Sequence, residues 1–175
     1  SSLKNHQISI DNFDLAIRYE PTNSNYFNAR CIAKKNINNY RRARADCLRA
    51  IDLNPDHQNA YNNLGLVKIG LNDYRGAIDA YNKQLRVAPD NQWSYSYLAA
   101  AYDSKGDIKR ACSYWLKAST VHGHEYAAKR LADTCFDFGS DNKKIDTTYN
   151  QDVHPLLQNE LDNCRGNVSL FCKNL

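Results

Sequence analysis

Small and apolar residues recur along this chain with a step of 34. Pro21, Pro55 and Pro89 mark one phase of the period, and Ala43, Ala77 and Ala111 another. Four residues after these alanines stand Cys47, Tyr81 and Trp115. Within a period the apolar positions are spaced as on helices. Tyr61, Leu64, Gly65 and Lys68 share one face of a first helix that is largely apolar, and Ala77, Tyr81 and Leu85 form a stripe with a step of four on a second. Leu71-Asn72-Asp73 reads as the turn between them, with Asp73 placed to cap the second helix. Gly65 and Ala77 carry almost no side chain, so the two helices are expected to approach closely. Pro89 ends the second helix, and Asp90 or Asn91 can cap the next. A fixed period of this length predicts stacked helical hairpins with one continuous core, an all-α right-handed superhelix.

The same grammar repeats on both sides of the central unit. Upstream it runs Phe27, Arg30, Cys31, then Tyr40, Ala43, Cys47, Ala50, Ile51 and Pro55. Downstream it runs Tyr95, Leu98, Ala99, Tyr102, then Gly106, Ile108, Ala111, Trp115 and Ala118, with Gly123 where a proline would fall. This pattern resembles the tetratricopeptide repeat family, whose repeat reads W-x-x-L-G-x-x-Y, then A-x-x-x-F, then P. Arg30 stands where the family has Leu and Cys47 where it has an aromatic, so the first full unit is expected to pack less densely; in the middle unit Lys68 stands where the family has Tyr. The third unit is similar to the Sel1-like variant and to the terminal unit of many bacterial members. That likeness implies a capping helix over 125–138, with Tyr126, Leu131 and Cys135 toward the core and Lys129, Arg130 and Asp133 toward water.

These readings divide the chain into a solenoid, 1–138, and a C-terminal tail, 139–175. The solenoid comprises a partial unit (1–23), full units 24–57, 58–91 and 92–125, and the capping helix. The partial unit is a second helix without its first, with Phe13, Ala16, Ile17 and Pro21 in frame, so the exposed side of 8–17 is expected to be partly apolar. In the tail, 152–163 is expected to form a short helix capped by Asp152 with Pro155 in its first turn, and Val168 to Cys172 is strand-like. Asn167-Val168-Ser169 matches the short glycosylation acceptor pattern.

Bulk composition narrows this picture without redirecting it. A formal charge of +4 over 175 residues does not by itself imply a nucleic-acid partner. No stretch approaches the roughly 20 apolar residues that span a bilayer. The chain has no Met, so Ser1 is expected to follow a removed leader or a boundary cut, which leaves cytoplasmic and exported locations equally open. None of the six cysteines stands in a C-x-x-C zinc pattern. Cys31, Cys47 and Cys112 read as small buried apolar residues. Cys164 with Cys172 is one candidate bridge, and Cys112 with Cys135, on neighbouring helices of the expected stack, is another.

Function is expected on the surface of the stack. In stacked hairpins the first helices line a concave groove and the second helices form the back. The groove side then holds Asn25, Asn28, Ile32 and Lys35, next Asn59, Asn62, Leu66 and Ile69, and finally Trp93, Ser96, Ala100 and Asp103. Asn donates and accepts at once, which suits the backbone of an extended peptide. Trp93 is the leading anchor candidate, since the other tryptophan, Trp115, fits the core. The lysines and arginines with which some relatives grip a chaperone's terminal carboxylate are missing, because Asn28, Ile32, Trp93 and Tyr97 hold those places.

A protein or peptide partner in the groove, in a scaffold or adaptor role, is therefore the primary expectation. The alternative is a nucleic-acid or acidic-surface adaptor that uses the basic patch Lys34, Lys35, Arg41, Arg42, Arg44 and Arg49. Self-association through the exposed first end is a third reading. No P-loop, G-x-S-x-G or H-E-x-x-H pattern occurs, so neither an enzyme nor a cofactor is expected. His122-Gly-His124-Glu125 reads as an ordinary polar loop with no metal.

Overall fold

The computed structural model describes residues 2–135, residues 92 and 124 excepted. Readings that concern the tail, including Cys164, Cys172 and the 152–163 helix, lie outside the described residues, as does His124. The described part forms eight α-helices and no strand: α1 (Ser2–Tyr19), α2 (Ser24–Asn36), α3 (Tyr40–Leu53), α4 (Gln58–Gly70), α5 (Tyr74–Val87), α6 (Ser94–Ser104), α7 (Ile108–His122) and α8 (Glu125–Cys135). The closest packing is within the hairpins α2–α3, α4–α5 and α6–α7, and each hairpin then packs on the next. This is the all-α superhelix of antiparallel hairpins.

The turns inside the hairpins follow the same register as the helices. Asn38, Asn72 and Gly106 lie 34 residues apart, and all three take a left-handed backbone, with φ of 59°, 59° and 80°. Asparagine and glycine adopt that conformation most easily, so each turn is encoded locally. One residue further on, the side chains of Asp73 and Asp107 accept hydrogen bonds from the backbone N–H of Gly76 and Arg110. Asn39 holds the same place before α3 without a side-chain cap bond.

The core crosses from one hairpin to the next in three clusters. Its largest cluster joins Tyr81, Leu98, Tyr102, Trp115 and Leu131, so α5 through α8 share one interior. Trp115 is 1% exposed, as its place in the frame predicts. Burial first, and then neighbouring Tyr97, push the Tyr81 phenol above its ordinary range and keep it neutral. A Cβ built on Gly65 would overlap the Tyr81 ring, so this glycine is what lets α4 and α5 close on each other. We expect Gly65→Ala to lower stability by about 1–3 kcal/mol through overpacking, which outweighs its gain of ~1 kcal/mol in helix propensity. Urea unfolding would test this, and a midpoint at or above wild type would contradict it.

Three expectations need correction. Tyr126 does not turn into the core: it is 58% exposed and meets Trp115 edge-on, with ring centroids 5.7 Å apart. Cys31 and Cys47 are fully buried but bonded to each other, tying α2 to α3. Cys112 is bonded to Cys135, the pair that the sequence offers as a candidate bridge between neighbouring helices, and this ties α7 to α8. Nor is the first full unit left underpacked by Arg30. That guanidinium bridges Asp14 of α1 and Asp46 of α3, each at 2.6 Å.

Candidate functional site

Register rows on α2, α4 and α6 define the candidate face. Asn25, Asn59 and Trp93 form the first row, and all three are exposed. Trp93 immediately precedes α6, where its backbone N–H donates to the Asn91 side chain at 3.0 Å, and its indole is 44% exposed.

The second row is Asn28, Asn62 and Ser96, and the structure draws it inward. Asn28 is buried because Asn63 of the next first helix donates to its Oδ1 at 3.0 Å, so this side chain holds α2 against α4. Ser96 is also buried. The Oδ1 of Asn62 and the Oγ of Ser96 are inaccessible and have no hydrogen-bond partner among the described residues.

Ile32, Leu66 and Ala100 form the third row, the first two half-buried and the last exposed. In the fourth row, Ile69 leans onto the main core cluster, and Asp103 accepts a hydrogen bond from Arg130 of α8 at 2.5 Å. Lys35 is half-buried, and burial lowers its pKa.

The six residues of the basic patch do not act alike. The Lys34 ammonium is spent on the buried Asp46, at 2.7 Å. Arg41, Arg42, Arg44 and Arg49 are exposed along α3. Lys35 lies with the first-helix rows.

Sequence reasoning missed two arrangements. Tyr97, one period after Asn63, stacks on Tyr81 with ring centroids 5.4 Å apart. Tyr95, Tyr114 and Tyr102 form a second aromatic stack, with Arg110 over the Tyr102 ring and Lys117 over the Tyr114 ring. The concentration of tyrosines in α6, at Tyr95, Tyr97 and Tyr102, was the available signal. Among the described residues no group of three or more His, Cys, Asp or Glu is placed to hold a metal ion. No described helix is long and apolar enough to cross a membrane.

The described backbone is similar to several solved structures. MamA matches with a TM-score of 0.66 at 19% identity, over 71% of this chain and 74% of that one. YrrB, described as a TPR protein with an unusual peptide-binding site, matches at 0.61 with 21% identity, over 69% of this chain and 62% of that one. The first TPR of Spaghetti (RPAP3), bound to the HSP90 peptide SRMEEVD, matches at 0.56 with 21% identity, over 59% of this chain and 82% of that one. No curated protein sequence matches the chain. Residues 58–91 match the model of the tetratricopeptide repeat family. Residues 58–91 are thus similar to a tetratricopeptide repeat, and the described residues take the fold of a tetratricopeptide-type solenoid.

Proposed function

We propose that the chain is a protein-interaction module that takes a peptide or a helix onto the concave face of α2, α4 and α6, in a scaffold or adaptor role. The observation that carries this reading is Trp93. An indole that is 44% exposed, at the end of a row begun by exposed Asn25 and Asn59, leaves apolar area for a partner to cover. Half-buried Ile32 and Leu66 line the same helices and add apolar contact. Two proteins of similar fold are described with a peptide-binding site or a bound peptide, which supports the same mode here. In this reading 1–138 is the binding solenoid and 139–175 a tail outside it.

Peptides selected from a random library against the disulfide-intact chain would supply the probe. Calorimetric titration of such a peptide is expected to give a Kd at least ~30-fold weaker for Trp93→Ala, about 2 kcal/mol. Lys83→Glu, on the exposed side of α5, should leave the Kd unchanged. Equal affinity of Trp93→Ala and wild type would remove the reading.

A further inference from the structure

The second helices concentrate the charge of this molecule. Together α3, α5 and α7 hold ten exposed Lys and Arg side chains against two exposed carboxylates, Asp52 and Asp79. That surplus of eight exceeds the formal +4 of the whole chain, so the remainder is net acidic. The cations also keep the 34-residue step. Arg41, Arg75 and Lys109 occupy one position of the three helices, and Arg49, Lys83 and Lys117 another. The register stops at α1, where Gln7 and Leu15 stand in those places.

This charge is largely free to act outward. Arg41, Arg42, Arg44, Arg75, Lys83 and Arg86 form no ion pair among the described residues. Six like charges on the second helices of successive hairpins repel one another, and a polyanion laid across them relieves that repulsion. The exposed large apolar residues of these helices are aliphatic: Leu48 beside Arg49, Ile108 beside Lys109, and Val121. Single-stranded nucleic acid is held by aromatic platforms for its bases, and no fully exposed residue of these helices is aromatic. The two disulfides point to an oxidising compartment, where lipid headgroups are the more abundant phosphate surface.

We infer that the face formed by α3, α5 and α7 docks on an anionic membrane surface, its lysines and arginines on the lipid phosphates and Leu48 and Ile108 at headgroup level. This inference is independent of the groove. A chain held by its second helices would leave its first helices turned away from the bilayer.

Sedimentation of the full disulfide-bonded chain with vesicles tests it. Wild type is expected to pellet with phosphatidylcholine vesicles that contain phosphatidylglycerol, not with phosphatidylcholine alone, and to be released by high salt. Combining Arg41→Glu, Arg75→Glu and Lys83→Glu should weaken partition about tenfold or more. A control with the same charge change elsewhere, Lys4→Glu, Arg18→Glu and Lys129→Glu, should keep most of the binding. Circular dichroism would establish that both variants remain folded. Equal binding to neutral vesicles, equal loss in the control, or binding to oligonucleotides without binding to anionic vesicles would each overturn the inference.

Discussion

Replacing Asp46 with alanine is expected to destabilise the fold by about 3–5 kcal/mol, because it strips the shared partner from two cations held inside the first hairpin. Asp46 is buried, with its side chain 7% exposed, and it accepts hydrogen bonds from Arg30 Nε at 2.9 Å, Arg30 Nη2 at 2.6 Å and Lys34 Nζ at 2.7 Å. The Arg30 contact is bidentate, the strongest geometry such a pair can take. Burial works against the Arg30 charge, but the hydrogen bonds and charges of Asp46 and Asp14 outweigh it and hold the guanidinium pKa above its ordinary value. Removing Asp46 leaves that desolvation in place with much of its compensation gone. Asp14→Ala is the natural comparison. That carboxylate is half exposed, so its loss should cost no more than about 1 kcal/mol. Urea unfolding of both variants checks the contrast, and equal costs would contradict it.

Loss of the buried disulfides ranks second. The bond Cys31–Cys47 closes a loop with a sequence separation of 16, and Cys112–Cys135 one of 23. Restricting the unfolded chain over loops of this length stabilises a fold by about 3 kcal/mol each. The double variant Cys31→Ser, Cys47→Ser should therefore lower global stability by roughly that amount. It also puts two hydroxyls where two fully buried sulfurs sat. The variant Cys112→Ser, Cys135→Ser should act more locally. Its bond fastens α8 at one end of the described stack, where fewer neighbours hold it. Amide exchange on α8 should rise in that variant before exchange in α4 or α5. An unfolding midpoint unchanged by reduction would exclude a stabilising role for either bond.

The scaffold was legible in the sequence wherever a feature depends on one hairpin alone. Helix ends, the left-handed turns at Asn38, Asn72 and Gly106, and the core place of Trp115 follow from periodicity and local backbone preference. Features that need the rotation of one helix against another were not legible. Arg30 reads as an intruder on an apolar stripe, and only the packing of α1 and α3 around it reveals two carboxylates within reach. Cys31 and Cys47 read as small core residues for the same reason, since a stripe position fixes burial but leaves the facing partner open. The likeness to a terminal unit places Tyr126 inward. With Leu131 and Ala127 already filling the interior of α8, the ring is left at the rim against Trp115.

The candidate face shows the same division. The register names its rows, but it cannot tell an outward Asn from one used between helices. Asn25 and Asn28 stand one turn apart on α2. The first is exposed, and the second is bound to Asn63 because α4 passes beside it. One of the four groove asparagines, Asn28, is therefore structural, and the weight of the functional reading moves to Trp93.

Amide exchange footprinting of the chain with a library-selected peptide tests the central claim most directly, since it reports which helices the partner covers. The prediction is slowed exchange on α2, α4 and α6, centred on the segment around Trp93, with α3, α5 and α7 unchanged. Slowed exchange confined to α3, α5 and α7, or to α1, would contradict it.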